Sequence, residues 1–569
     1  DARSTSMDDD GSEPDYIARY VNGRYFEGCS ALLLIQLPDW MLDVVDSLFN
    51  GCANLASVTL SPNTEYIGVN AFNGCSALVS ITLPASVTDI AAGAFVNCAS
   101  GFAITYQGTK VQWGQVKRSN QSVDSTKWHD GDREISDSTG HVTCGDGACG
   151  LDYKYIVGTP DITALDDASD LDFCSTVNVS NVAGFNLIAQ WADSDATDFH
   201  NVTIVLQDDV TVEDNYWIKQ FRGTFDGNNH TITQNYTTAY GGDAQRTIQG
   251  ETLYQSKRAL FWSISTDAVI KNITVEGTAQ KAGLVGHMYG GSIEDCVVDV
   301  TVSGNSGDEL GGFVSKISGP ATIKNCVFKG SLATPYDNNG GEAGGIVGSV
   351  ATNSEVIIEN CLNKGAICTT NEKVAFGGGI VGYCDYPIII RNCKNTGNVR
   401  GKYAGGIIGH AQRVNVINCN NLGNITKMDT GSSGGIVGQT SPSNYDVVWP
   451  TLINNCNYGS AEGGIVGDFN CPSNNDASKP QPTNEYISHN YYYYVSTNPV
   501  GQVNSKYSWS STSWGDSYFI KVTDDTAVGS ILGALDNWAY YNSDDSVTYA
   551  SWTGTVWDVR LDLGELEDK

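Results

Sequence analysis

This 569-residue chain has no run of about twenty consecutive apolar residues, so no helix in it is expected to span a membrane. It is also poor in positive charge. Lys and Arg total 32 against 64 Asp and Glu, a formal net charge of −32. A surface of that sign repels nucleic acid and anionic lipid, and no basic patch or nucleic-acid motif offsets it. Solubility alone explains the excess acid; calcium is the one cofactor it would invite. There is no Gly-x-Ser-x-Gly elbow, His-Glu-x-x-His helix or phosphate loop. No catalytic residue is therefore assigned, and no cofactor-binding or metal-ligating one. The 63 glycines follow no Gly-X-Y triplet, which excludes a collagen. The chain starts at Asp1 without a signal peptide and ends at Lys569 without a sorting motif, as a processed or a trimmed chain would.

What the chain has is repetition, in two registers. In the first, Cys29, Cys52, Cys75 and Cys98 recur every 23 residues, as do Phe26, Phe49, Phe72 and Phe95. Leu32, Leu55 and Leu78 keep the same interval, followed by Ile35, Val58 and Ile81 and then by Leu37, Leu60 and Leu83. Such a unit is one short strand whose alternate residues point inward, and stacking the units builds one continuous core. Parallel side chains one rung apart hold their Cβ atoms about 4.8 Å apart, beyond the ~3.8 Å of a disulfide. The cysteines are thus expected as buried thiols acting as small hydrophobes. Residues 26–115 resemble the BspA-type leucine-rich repeats of bacterial and protozoan surface proteins. That resemblance implies surface display and adhesion, with no particular ligand.

The second register runs from about residue 270 to 470. A Gly-Gly-apolar-apolar-Gly segment occupies Gly344–Gly348, Gly378–Gly382, Gly405–Gly409, Gly434–Gly438 and Gly463–Gly467, with variants at Ala282–Gly286 and Gly311–Ser315. It alternates with an Ile-x-Asn-Cys segment ending at Cys326, Cys361, Cys393 and Cys456, with variants ending at Cys296 and Cys419. In a straight strand the Ile and the Cys would face opposite sides. An Asn between them tolerates the left-handed conformation, turns a corner and sends both inward. Asn272, Asn325, Asn360, Asn392, Asn418 and Asn455 are predicted to stack as a corner ladder, with Gly365, Gly397 and Gly423 at the next bend. Ile273 stands in the cysteine slot of the first rung, which argues for a core position and against a metal ligand. A coil of short strands with corner turns is a parallel β-helix. These motifs resemble the GLUG repeats of bacterial adhesin-like surface proteins, over about residues 180–500. Ahead of them, Ala183–Trp191 reads as an amphipathic helix that would cover the open end of the core.

The expected fold is mainly β: a leucine-rich solenoid, then a right-handed parallel β-helix with a small aromatic-rich C-terminal cap. The domains are an acidic leader (1–22), the leucine-rich solenoid (23–115), a connector (116–175), the β-helix (176–485) and the cap (486–569). In an oxidising compartment Cys144 and Cys149 can form a local disulfide or stay as thiols, and Cys368 and Cys384 can pair across neighbouring coils. Sequons at Asn120, Asn178, Asn201, Asn229, Asn235 and Asn424 can carry glycans in a eukaryotic secretory host; Asn272 is a seventh, at a corner. The tail aromatics, from Tyr491–Tyr494 through Trp509, Trp514, Trp538, Trp552 and Trp557, can be a sugar platform or a folded cap.

The residue after each glycine strand gives the series His287, Lys316, Ser349, Tyr383, His410, Gln439 and Asp468. It reads as a polar, irregular, exposed edge, with its two histidines four rungs apart. The function implied is an extracellular or cell-surface adhesin-like protein without catalysis. Its partner would be an extracellular protein or glycan, with no nucleic acid and no membrane span. The alternatives are a structural subunit of an extracellular filament or layer, built from copies of itself, and a polysaccharide-active β-helix enzyme.

Overall fold

The computed structural model describes residues 25–559 apart from several stretches, the longest being 119–126, 145–159, 237–243, 334–340, 441–449, 471–485 and 505–518. The chain divides into two compact units, Asp1–Val177 and Asn178–Lys569.

In the first unit the 23-residue interval becomes a parallel register. Leu34–Gln36 pairs with Ser57–Thr59 so that Ile35 lies beside Val58, and Ser80–Leu83 pairs with Ala103–Tyr106. Gly28, Gly51 and Gly74 all have φ between +71° and +77°, a left-handed turn that glycine takes without strain. The fourth repeat makes the same turn at Asn97, at φ +57°. The four repeats deliver Phe26, Phe49, Phe72 and Phe95 into one ring stack, which Phe102 closes, with centroids 5.1–5.7 Å apart. The thiols sit beside it. Cys52, Cys75 and Cys98 donate to the carbonyls of Phe26, Phe49 and Phe72 at 2.8, 3.2 and 3.4 Å. Burial pushes the Cys75 thiol up to about 12. Val142–Cys144 adds a further parallel strand beside Ala103–Tyr106, so the leucine-rich sheet gains a strand from beyond residue 115. Cys149 and the side chain of Cys144 lie outside the described residues.

The second unit opens with the helix Val182–Asp193, capped by Asn181, whose side chain accepts from the Gly184 amide at 3.1 Å. Phe185, Ile188, Ala189 and Ala192 form its buried face, which meets the early strand Val210–Val212. Parallel strands then climb in coils. One rung comprises Ala321–Lys324, Val327–Phe328, Ser331–Ala333, Glu342–Gly344 and Val347–Val350. Each of these strands pairs with its counterpart in the following rung.

The predicted corner is present. Asn272, Asp295, Asn325, Asn360, Asn392 and Asn418 all have φ of +53° to +56°. Their side chains hydrogen-bond up the corner, as Asn360 to Asn325 at 2.7 Å and Asn418 to Asn392 at 2.8 Å. Cys296, Cys326, Cys361, Cys393 and Cys419 follow it into the core, fully buried, and burial raises the Cys326, Cys361 and Cys419 thiols. The next rung corrects the sequence reading. There the left-handed residue is Asn454, not Asn455, because Leu452, not Ile453, takes the place of Val416 in the register. Asn455 fills the cysteine slot and donates to the Val416 carbonyl at 2.8 Å. Cys456 slides one place on, beside Asn420, and so faces the other side. In the rung after that His489 takes the corner and Asn490 the slot.

A second asparagine ladder runs inside the coil, at positions the sequence reading passed over. Asn363, Asn395, Asn421 and Asn457 are fully buried. Asn363, Asn395 and Asn421 each donate to the next side-chain carbonyl at 2.7–2.8 Å, and all four donate to the carbonyl of the glycine two residues on. Buried amides satisfied on both sides stabilise one register. On the outside of another face, Asp226, Lys271, Glu294, Lys324, Glu359 and Arg391 stack in register. Their signs alternate, with ion pairs of 3.3, 3.1 and 2.8 Å along the column.

The coil continues past residue 485, through Ile487–Ser488 and Asn490–Tyr493 to Phe519–Val522. The C-terminal helix is Val528–Asn542. With the hairpin of Trp552–Thr553 and Asp558–Val559 it packs along the flank. Leu535, Trp552 and Val559 cluster with Cys456, Tyr491 and Val522. The Asn ladder supplies the polar side of that contact: Asn392 donates to Thr548, Asn418 to Ala550, and Trp552 Nε1 donates to Asn418. This segment thus covers a side of the coil as well as extending its last rungs.

Cys368 and Cys384 are buried thiols and do not form the cross-coil disulfide considered from sequence; Cys384 donates to the Tyr386 carbonyl at 3.2 Å. Of the sequons, Asn201, Asn229, Asn235 and Asn424 are exposed, Asn178 and Asn272 are half-buried, and Asn120 lies outside the described residues.

Candidate binding groove

The glycine segments make a sharp concave bend. At Gly344 an added Cβ would strike the Val347 carbonyl of the same bend and the Gly382 amide of the next rung. At Gly379 it would strike the Gly406 carbonyl and the Asn395 side chain. Only glycine lets the two arms of each rung approach so closely. The bend brings two columns face to face. One is the series His287, Lys316, Ser349, Tyr383, His410, Gln439 and Asp468, which stacks in unbroken register. The other precedes the glycines: Glu309, Glu342, Phe376, Tyr403 and Ser432.

The first column corrects the sequence expectation of an exposed edge. His287, Ser349, His410, Gln439 and Asp468 are buried, and Lys316 and Tyr383 are half-buried. They line the inside of a groove. Periodicity places residues on a strand but does not distinguish a concave bend from a convex one. The opposing column was missed because it lies two residues before the glycine motif and varies from rung to rung. The sequence signal that could have found it is the Glu-x-Gly, Phe-Gly-Gly and Tyr-Ala-Gly lead-in to successive motifs.

Across the groove the aromatics meet. Phe376 lies 5.0 Å from Tyr383, 4.9 Å from His410 and 5.6 Å from Tyr403, and Tyr383 stacks on His410 at 4.7 Å. Below them runs a relay of hydrogen bonds. Tyr383 Oη donates to Asp385 Oδ2 at 2.5 Å, and His410 Nε2 meets Asp385 Oδ1 at 3.2 Å. His410 Nδ1 meets Gln439 Oε1 at 3.1 Å, and Gln439 Nε2 donates to Asp468 Oδ2 at 3.1 Å. With Asp468 orienting the Gln439 amide, both His410 nitrogens face side-chain oxygens.

Charges in the groove are largely matched. Lys316 pairs with Glu309 at 3.0 Å. Burial works against ionisation of Asp385, but hydrogen bonds from His410 and Tyr383 outweigh it and hold its carboxyl below the usual value. Burial and then that hydrogen bond to Asp385 raise the Tyr383 phenol. Glu342 is the exception. Burial first, then the nearby Glu309 carboxylate, push it up to about 7, against a weaker pull from Lys316. One groove therefore holds a carboxyl that keeps its proton near neutrality and another that is ionised.

His287 and His410 stand four rungs apart, as the sequence implied, and have separate partners; His287 Nε2 bonds to Ser318 Oγ at 2.7 Å. Among the described residues no group of three or more His, Cys, Asp or Glu is placed to hold a metal, and no helix is long and apolar enough to cross a membrane. A separate shallow depression near Asp267, Pro320 and Glu355 has no aromatic lining.

Fold and groove define a protein of two β-repeat arrays, one carrying a polar and aromatic concave face. Residues 15–114 match the BspA type leucine rich repeat region, in six copies. The match covers the first array and does not bear on the expected likeness of the second to GLUG repeats. No curated protein matches. Among solved structures, a Bacteroides ovatus protein provisionally described as an immunoglobulin A1 protease is 15% identical, over 64% of this chain and 87% of that one, with a TM-score of 0.34. A structure described as IgA1 Protease is 16% identical, over 56% of this chain and 21% of that one, with a TM-score of 0.33. Likeness at this distance does not say what this chain does.

Proposed function

We propose that this is an adhesin-like binding protein of the cell exterior, which holds its ligand in the concave groove of the β-helix. The observation that supports this is the facing pair of columns, aromatic at Phe376, Tyr383, Tyr403 and His410 and polar on either side. The inward cysteine and asparagine columns repeat from rung to rung, whereas these two facing columns change at nearly every step, as a recognition surface can. The leucine-rich match at residues 15–114 supports surface display. The test is capture of the intact protein on arrays of extracellular proteins and glycans, beside a Phe376→Ala, His410→Ala variant of matched circular dichroism. Binding without turnover that the variant loses supports the reading; equal capture of both proteins sinks it.

Glu342 and Asp385 favour a second reading, a polysaccharide-active enzyme. A protonated acid and an ionised carboxylate in one groove are the pair that glycoside cleavage uses. Release of reducing ends that Glu342→Gln abolishes would establish it.

A further inference from the structure

We infer that the groove is built for an uncharged, unbranched glycan lying along the stack, with roughly one sugar ring per rung. The inference rests on the reading of the groove as a binding site and names its ligand. Three features carry it.

The first is spacing. Both columns present a new side chain at each rung, at intervals of about 4.8 Å, close to the length of one sugar residue in an extended chain. A linear glycan therefore meets an equivalent pair of facing positions at each unit.

The second is the aromatic tier. Phe376, Tyr383 and Tyr403 are only half-buried, and two of their contacts are parallel stacks, Phe376 with Tyr403 at 17° and Tyr383 with His410 at 12°. Rings stacked rung on rung turn rigid, amphipathic edges toward the groove at little entropic cost. The C–H groups of a pyranose pack against these edges, while its hydroxyls reach the polar groups beside them. The Glu342 carboxyl is placed to meet them, with no ion pair or side-chain hydrogen bond of its own among the described residues.

The third is charge. Lys316 is held by Glu309, and Asp385 is engaged by Tyr383 and His410, so the lysine already has its anion. A uronate or sulfate chain would have to break that pair or sit against Glu342 and Asp468, and both choices oppose it. An extended peptide fits less well. Peptides that add to β-structure bond to an unpaired strand edge, and the strands of the groove are paired on both sides by neighbouring rungs.

Calorimetric titration of the full chain tests this, with neutral hexasaccharides of β-linked glucose, xylose, mannose and N-acetylglucosamine, their disaccharides, and hexagalacturonate. At least one neutral hexasaccharide is expected to bind, and to lose about tenfold or more in affinity both as the disaccharide and against Phe376→Ala. Tyr540→Ala, on the exposed C-terminal helix, should leave binding unchanged. Hexagalacturonate should bind about tenfold more weakly than the neutral chain or worse, and Glu342→Gln should narrow that gap above pH 7. Tighter binding of hexagalacturonate, or a neutral chain held equally by Phe376→Ala, overturns the inference. If a basic peptide or an intact protein binds through the groove while every neutral glycan fails, the glycan is wrong and the binding protein stands. If nothing placed in the groove binds, both fall.

Discussion

The two repeat arrays handle variation in opposite ways. In the leucine-rich array the core stacks Phe on Phe and Cys on Cys, and the outward face of its strands is plain as well: Ser57, Thr59, Ser80, Thr82 and Thr105, all exposed. In the β-helix the cysteine and asparagine columns repeat almost as faithfully, but of the two columns flanking the glycine bend one differs at every rung and the other at every rung beyond Glu342. Stacking demands sameness where side chains interlock and leaves freedom where they face a cleft. The difference teaches where to look for function: in a solenoid, the column that fails to repeat beside a motif that does.

Perturbing the repeating columns should be costly and perturbing the variable ones cheap. The largest effect is expected at Phe72, whose ring is stacked between two others. Phe72→Ala should cost about 3–5 kcal/mol in denaturant unfolding of the first unit. Gly379→Ala puts a methyl group against the Gly406 carbonyl and should cost about 2–3 kcal/mol; a smaller loss would show that the bend can open.

Glu342→Gln sharpens the comparison, since a column built for a ligand can carry an unfavourable charge. The folded state holds the Glu342 proton up to about pH 7, against an ordinary value of 4.5. Its ionisation therefore destabilises the fold progressively as pH rises between those values, and fully above them. The variant should match the wild type at pH 4 and exceed it at pH 8 by roughly 1–3 kcal/mol, read as a difference in unfolding midpoint. The smallest effect is expected outside both arrays. Gly533 lies in the C-terminal helix with open space where a Cβ would go, and Gly533→Ala should stabilise that segment by about 0.5–1 kcal/mol.

Much of the architecture was legible in the residues. The 23-residue interval is a register because every inward position recurs together, and the Ile-x-Asn-Cys corner follows from the requirement that both ends face inward. Where reading failed, the causes were local. The Ile-Asn-Asn-Cys match lies one residue out of register: Leu452 pairs with Val416, so Asn455 takes the cysteine slot and Cys456 falls outside its expected column. The inner ladder of Asn363, Asn395, Asn421 and Asn457 was hidden because a polar residue before a bend glycine reads as surface turn; its burial depends on amides above and below that only stacking supplies. The coil runs on beyond residue 485 because Asn490 can stand where cysteine stood, bonding to the Leu452 carbonyl behind it. The groove was half legible. Its first column was named residue by residue and placed on the wrong curvature, and Glu342, its most perturbed carboxyl, carried no motif at all.

The alternating column from Asp226 to Arg391 has a consequence for assembly of the coil. Rungs of similar shape and core composition invite misthreading, in which one turn is skipped and the chain resumes a level too far along. Because acid and base take turns on this flank, skipping one level would bring together two groups of the same sign, Lys271 on Lys324 or Glu294 on Glu359. The ion pairs therefore act as a parity check on the winding, repelling an error that hydrophobic contact alone would let pass.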